Sequence, residues 1–449
     1  MPMTLRNRVL RLFSAAIGDQ MLLSGANFLV GLLLVRYTSS ADYGMYVLLQ
    51  TSLLLILSIH GALVCNPLSI LSGGRAPPER QRMIGAIQRG QSRLLRPLLL
   101  LPLIVPAAGY LAGLFSPAMA LFIGLAILAA WTSVQRNYIR SVLLIYARTR
   151  TLLAGDAVYV GVLLAGMGWA TLSRASAPVW IAFALMSAAW AGSAWGMRRF
   201  AADPGWVAGD ARAAWREMRS LGVWALTGSV IYWVFSRSYN YILVSRMDLS
   251  AVAAVNAVRL MVMPAIMLAV GLQSVLTPLA AAWKAEVGLQ RLVRRLWRIL
   301  LAVGALDLLY FALLWPFRDW VSTRVLHKHI TERDTLLLLW AVFALVALAR
   351  DVLAPAVYAL GRLKWLAWQI AFCALIALAV MWFGIPRWGM PAALIALLLG
   401  ESLNLLGILY LIRDAQRQAR RDEPIGALAA APTGKRDGKY GVRAPDQPC

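Results

Sequence analysis

The residues most able to do chemistry in this chain are charges placed where charge is costly. Arg36, Arg237, Arg259 and Arg350 all lie within long apolar stretches. An arginine at the centre of a lipid-facing helix costs about 2.5–3.5 kcal/mol on insertion scales, so it faces protein, water or a bound anion. Arg237 sits in the polar run Ser236 to Tyr241, in the outer half of its segment, where reaching to the interface is the competing reading. Arg259 lies roughly 12 Å along the next segment at 1.5 Å per residue, too deep for that explanation. Arg36 is at the end of its segment, and Arg350 adjoins Asp351, so an ion pair competes there with a ligand role.

Acids complete the set of intramembrane charges. Asp19 and Asp156 lie near segment ends, whereas Asp307 and Glu401 fall near mid-segment, with Asn404 one turn beyond Glu401. Either mid-segment acid could cancel an arginine or hold a coupling ion. Helical spacing puts Gln20, Ser24, Asn27 and Gly31 on one face of the first segment. It also gathers Trp233, Arg237, Asn240 and Tyr241 on the seventh, and Arg259, Met263, Gln273 and Thr277 on the eighth. Such faces line a watery cavity or hydrogen-bond between helices, and the spacing alone serves both.

Other chemistries find little support. The three cysteines, Cys65, Cys373 and Cys449, are scattered, and His327-Lys328-His329 offers two metal ligands without a third, so it reads as an ordinary solvated loop. No phosphate-cradling glycine loop and no nucleophile elbow is present. The expectation is no cofactor, no metal, no nucleic acid and no enzymatic activity.

These residues must be held by membrane helices. The chain has 449 residues, 60% of them hydrophobic, 14% charged, with mean hydropathy +0.67. About twelve spans follow, at 17–36, 43–64, 94–114, 118–135, 152–172, 178–196, 221–245, 251–282, 299–317, 335–358, 365–385 and 390–412. Pro264 and Pro278 predict a kink in the long eighth span. The net charge of +24 reflects topology: with both termini cytoplasmic, 33 Lys and Arg, counting Arg96 at the inner edge of the third span, fall in inner connections and tails against 7 outside.

The resulting plan is an all-α membrane protein with two pseudo-symmetric six-helix lobes around a central cavity. Residues 1–16 form an interfacial helix, 17–196 the first lobe and 197–220 a cytoplasmic linker with a helical stretch from Trp206. The second lobe spans 221–412, and 413–449 is a basic disordered tail. Equal span counts and a weak echo of Ser40–Tyr46 in Ser250–Asn256 favour parallel repeats. The basic stretch 289–298 reads as a helix resting on anionic lipid headgroups.

The first seventy residues carry a resemblance. Gly18-Asp19-Gln20, Ser24-Gly25-Ala26-Asn27-Phe28, Ser40-Ala41-Asp42-Tyr43-Gly44-Met45-Tyr46, His60-Gly61-Ala62-Leu63-Val64 and Asn66-Pro67-Leu68 look like the opening of bacterial polysaccharide biosynthesis membrane proteins. These are Wzx-type flippases of the multidrug/oligosaccharidyl-lipid/polysaccharide exporter superfamily. The resemblance implies alternating access in the inner membrane and an undecaprenyl-pyrophosphate-linked oligosaccharide as substrate, for O-antigen, capsule or exopolysaccharide assembly. It also implies partnership with membrane lipids and with polysaccharide polymerase and chain-length machinery.

On that reading Arg237, Arg259, Arg350 and Arg36 bind the pyrophosphate. Gln20, Ser24, Asn27, Asn240, Tyr241, Asn256 and Gln273 line the cavity, and Glu401 and Asp307 serve ion coupling. Guanidinium suits pyrophosphate better than ammonium does, and all four intramembrane cations are arginine. The alternatives are a cation-coupled multidrug or small-molecule exporter, which predicts a cavity of acids and aromatics, and a membrane polymerase or ligase, which needs a larger outer loop than 318–334.

Overall fold

A computed structural model describes residues 5–73, 75–146, 148–173, 177–201 and 210–429. All regular structure among them is helical. α1 is Leu5–Tyr37, α2 Ser40–His60 and α3 Asn66–Gly73, the last two joined by a π-helical turn, Gly61–Cys65. α4 is Pro77–Leu111, α5 Pro117–Ile145, α6 Thr149–Leu172, α7 Ala177–Ala201, α8 Ala211–Arg237 and α9 Tyr239–Arg246. α10 is Leu249–Trp320, α11 Arg333–Ala359, α12 Leu363–Trp388 and α13 Met390–Ala429. Nine helices among the described residues are long and apolar enough to cross a membrane, and Met21–Tyr37 and Pro102–Leu111 are shorter apolar helices. The chain is a multi-pass membrane protein.

Several boundaries differ from the sequence expectation. The interfacial helix and the first span merge in α1. The expected linker is helical at both ends, α7 running to Ala201 and the part from Ala211 continuing directly into the seventh span as α8, while residues 202–209 lie outside the described residues. That span is itself interrupted at Ser238, between α8 and α9. α13 runs past Arg413 to Ala429, so this part of the expected disordered tail is helical; residues 430–449 lie outside the described residues. α10 breaks at Gly288 (φ 79°), a left-handed conformation that glycine adopts without strain. The two spans on either side of Gly288 therefore follow one another almost directly. The basic segment after it does not rest on headgroups through its apolar side: Leu292, Val293 and Leu296 are buried against Leu276, Leu353 and Val357.

The helices sort into two lobes. α5, α6 and α7 pack on one another and on α1, while α10, α11, α12 and α13 form the second set. α8 lies between them, packed on α12 and also on the π-turn, α2 and α4. At the end of the bundle opposite the 202–210 linker, one hydrophobic core crosses both lobes, joining Val30, Leu34, Tyr43 and Tyr46 to Val252, Val255, Val258 and Leu394. Toward the linker end the core divides. One cluster holds Ile84, Ile87, Tyr138 and Met218, and another holds Leu276, Leu296, Leu353 and Leu411.

The shared core is fixed by two helix starts that meet face to face. Ser39 caps α2, its Oγ accepting from the Asp42 amide at 3.1 Å, and Asp248 caps α10, accepting from the Ala251 amide at 2.8 Å. Bonds from the Ser250 hydroxyl and the Ala251 amide hold the Asp248 carboxyl below its ordinary pKa. Gly44 lies against the Leu249 carbonyl so closely that a Cβ would fall 2.2 Å from that oxygen. Gly25, by contrast, has open space around it. Gly44→Ala is expected to lower stability by about 1–3 kcal/mol through overpacking, with Gly25→Ala close to neutral. Thermal unfolding of the purified protein in detergent measures both.

Candidate functional site

Just inside this shared core, the interruption at Ser238 sets the geometry of the site. The Ser238 amide still donates to Val234 O at 3.3 Å, and the Tyr241 amide donates to Ser238 O at 3.0 Å, so the backbone stays satisfied through the break. Arg237 occupies the last turn of α8, where a helix end favours a cation. Of the polar side chains after it, Tyr239 turns to α10 and Asn240 and Tyr241 reach α2.

These side chains form a continuous hydrogen-bond relay across the seam. Tyr239 Oη donates to Asn256 Oδ1 at 2.9 Å, and Asn256 Nδ2 donates to Asn240 Oδ1 at 2.7 Å. Asn240 Nδ2 then donates to Thr51 Oγ1 on α2 at 3.3 Å, and Thr51 donates to Val47 O. Beside it Tyr241 Oη and Ser52 Oγ stand 2.6 Å apart, and the Trp233 and Tyr241 rings are 5.8 Å apart. Asn240 and Asn256 are 1% and 5% exposed. The sequence expectation that both line a cavity is therefore corrected: they hold three helices together. Tyr241 and Ser52 are only half-buried.

Arg237 and Arg259 come together next to this relay as electrostatic neighbours. The Arg259 guanidinium lies 5.7 Å from the Trp340 ring, and Trp340 is fixed by its Nε1 donating to Val255 O at 3.1 Å. Among the described residues neither arginine makes an ion pair or a hydrogen bond to protein. Two half-buried cations thus share one region with no carboxylate to offset them. Such an arrangement attracts an anion with several acceptor oxygens.

The other two arginines separate from this pair. Arg350 Nη1 binds Glu401 Oε1 at 2.5 Å, and its Nε binds Asp351 Oδ1 at 2.8 Å, so it is neutralised inside the second lobe. Gln273 belongs to the same cluster, donating to Asp351 Oδ1 at 3.2 Å. Arg36 is exposed at the far end of α1 and donates to Arg324 O across the seam at 3.4 Å. On α1, Ser24 is half-buried and Asn27 exposed, while the side chain of Gln20 lies outside the described part. Asp307 is buried with its Oδ2 unpartnered, as is Glu401 Oε2.

Some contributors were not singled out from sequence. Trp340 and Thr51 lack any local signal, since an apolar face explains the first and a back-bonded threonine the second. His60 is also absorbed into structure: Nε2 pairs with Gln91 Oε1 at 3.1 Å, and Nδ1 meets Asn137 Nδ2 at 3.3 Å. The loop carrying His327 to His329 does more than meet solvent, because Lys328 Nζ donates to Thr38 O of the first lobe at 2.7 Å. No group of three metal-ligating side chains occurs among the described residues.

Neither a protein-family model nor a curated protein sequence matches this chain. Solved structures do. An inward-facing multidrug resistance MATE family transporter of the MOP superfamily aligns over 90% of this chain and 96% of its own, with TM-score 0.70 and 12% identity. The lipid II flippase MurJ, in an inward closed conformation, aligns over 90% and 87% with TM-score 0.69 and 10% identity. A MOP superfamily transporter from Pyrococcus furiosus, described as having a binding pocket of reversed polarity, aligns over 91% and 95% with TM-score 0.63 and 12% identity. The chain shares the all-helical, two-lobed fold of these transporters.

Removing Arg350 leaves two buried carboxylates without their cation. Arg350→Ala is expected to cost about 3–5 kcal/mol, and the triple change Arg350→Ala, Asp351→Asn, Glu401→Gln to recover much of it. Thermal unfolding in detergent reports both. Asn240→Leu should cost about 1–3 kcal/mol by orphaning Asn256.

Proposed function

We propose that this protein moves undecaprenyl-pyrophosphate-linked oligosaccharide units across the bacterial inner membrane by alternating access, supplying polysaccharide assembly. The observation that carries the reading is the Arg237 and Arg259 pair, half-buried at the seam and free of protein carboxylates among the described residues. A pyrophosphate brings about two negative charges and many acceptor oxygens, which two guanidinium groups can grip together. On this reading both termini face the cytoplasm, with the divided core at the linker end on the same side, which the excess of Lys and Arg in the inner connections supports. The sugar passes through the water-filled space between the lobes while the polyprenyl tail stays in lipid.

The fold is compatible with several cargoes, since one solved relative in fold is described as a multidrug transporter and another as a lipid II flippase. The unpaired arginines favour an anionic lipid-linked cargo over a cationic drug. Arg350 and Arg36 leave the pyrophosphate set, one neutralised by acids and the other at the far surface. Glu401 and Asp307, each with a buried unpartnered oxygen, are the proposed coupling carboxylates.

Reconstituted vesicles with defined glycan pyrophosphate lipids test the proposal. Arg237→Ala with Arg259→Ala should lower flipping by at least about 100-fold, as two charge-assisted contacts of about 1.5–3 kcal/mol each are lost. Arginine-to-lysine changes should retain an intermediate rate. Unchanged flipping in the double alanine variant overturns the role of the pair.

A further inference from the structure

The first lobe holds a second polar cavity, away from the arginine pair. It measures about 310 Å³ and is formed by α4, α5 and α7 toward the linker end. Gln88, Ser92, Trp131, Thr132, Gln135 and Ser193 supply its polar groups, and among the described residues none that lines it is charged. Trp190 stands at its rim, 62% exposed.

Its hydrogen-bonding capacity is unspent. Gln88 is 9% exposed, yet its Oε1 has no hydrogen-bond partner, and neither does the indole Nε1–H of Trp131. Gln135 is 8% exposed; its Oε1 accepts from Gln91 Nε2 at 3.5 Å, which leaves its own Nε2 unbonded. Two neighbouring polar groups are already bonded elsewhere. His60 holds Gln91, and Ser193 Oγ donates to Thr132 O at 3.1 Å. Buried polar groups without partners carry a desolvation cost, so groups gathered around a cavity mark what the cavity receives.

The chemistry of the missing partner follows from this inventory. The indole and the Gln135 amide offer donors, and the Gln88 amide offers a donor and an acceptor. Among the described lining residues a phosphate or carboxylate would meet no cation. A hydroxyl both donates and accepts, and adjacent hydroxyls on a ring match several such groups at once. An indole beside them supplies the flat apolar face on which a sugar ring stacks.

We propose that this cavity binds an uncharged, hydroxyl-rich group, a sugar ring or polyol, presented at the linker-end level of the membrane. The site is separate from the arginine pair and does not rest on its role. The polyol can arrive as the headgroup of a membrane lipid or as a free sugar from water.

The experiment uses the full-length protein in phosphatidylcholine nanodiscs. Nanodiscs doped with monoglucosyl diacylglycerol are compared with discs holding diacylglycerol of the same chains, and retained lipid is counted by native mass spectrometry. The glucosyl lipid should be retained preferentially. Gln88→Leu with Trp131→Phe should reduce that preference on the order of tenfold, for two neutral hydrogen bonds lost. Displacement of the lipid by free maltose supports the polyol site and assigns its source to water, whereas persistence of the lipid supports it with the bilayer as source. Should the double variant fail to fold, Trp131→Phe alone, which removes the Nε1–H donor and shortens the ring while keeping an aromatic face, carries the test. Arg237→Ala with Arg259→Ala should leave this binding unchanged, which separates it from the transport reading. Equal retention of the two lipids, or retention indifferent to both cavity substitutions, overturns the proposal.

Discussion

Everything in the site depends on how closely the two lobes meet at the end away from the linker. The start of α2 approaches the start of α10 until Gly44 touches the Leu249 carbonyl, a distance that no side chain tolerates. That contact brings Val252, Val255 and Val258 into one core with Leu34, Tyr43 and Tyr46. It also lets Asn240 reach Thr51, so the relay from Tyr239 to Val47 spans both lobes. Amides in a bilayer interior are costly unless paired, and pairing across a seam makes correct docking the cheapest way to satisfy them. Lys328 and Arg36 add two more bonds between the lobes at the same end, each to a backbone carbonyl.

Charge inside the protein is divided unequally between paired and unpaired groups. Asp156 is shared by Arg136 and Arg140, with Tyr159 stacked 3.7 Å from the Arg136 guanidinium. Arg350 lies between Glu401 and Asp351. Arg237 and Arg259 have no such partner among the described residues, and the Trp340 ring 5.7 Å from Arg259 offers only a quadrupole. An aromatic face moderates the cost of a cation without cancelling its charge. Uncompensated positive charge therefore collects at one place on the seam.

Irregular backbone occurs where helices must serve two neighbours. The π-turn at Gly61–Cys65 lies where α8 crosses the first lobe, and Gly222 of α8 fits against the Leu63 carbonyl there, with a Cβ 3.2 Å away. The interruption at Ser238 separates α8, packed on α12 and α2, from α9, packed on α10, α12 and α2. Each break is short, keeps its carbonyls and amides bonded, and redirects side chains by part of a turn.

The sequence by itself determined the class of the molecule and most of its spans. Long apolar runs leave a chain no stable option except membrane helices, and polar residues at helical spacing identify faces whatever they touch. It also isolated the four intramembrane arginines and the two mid-span acids, because charge in hydrocarbon is rare and costly. Which arginines remain free was settled by tertiary packing. Arg350 and Glu401 are 51 positions apart, and no local pattern pairs them. Asn240 and Asn256 likewise read as cavity lining until the distance from Asn240 to Thr51, 189 positions away, shows them bonded. Continuity of α1 and α8 through expected boundaries was hidden as well, since amphipathic and apolar helical segments share one backbone geometry. Partner choice is a long-range property, and spacing along one helix records only which way a side chain points.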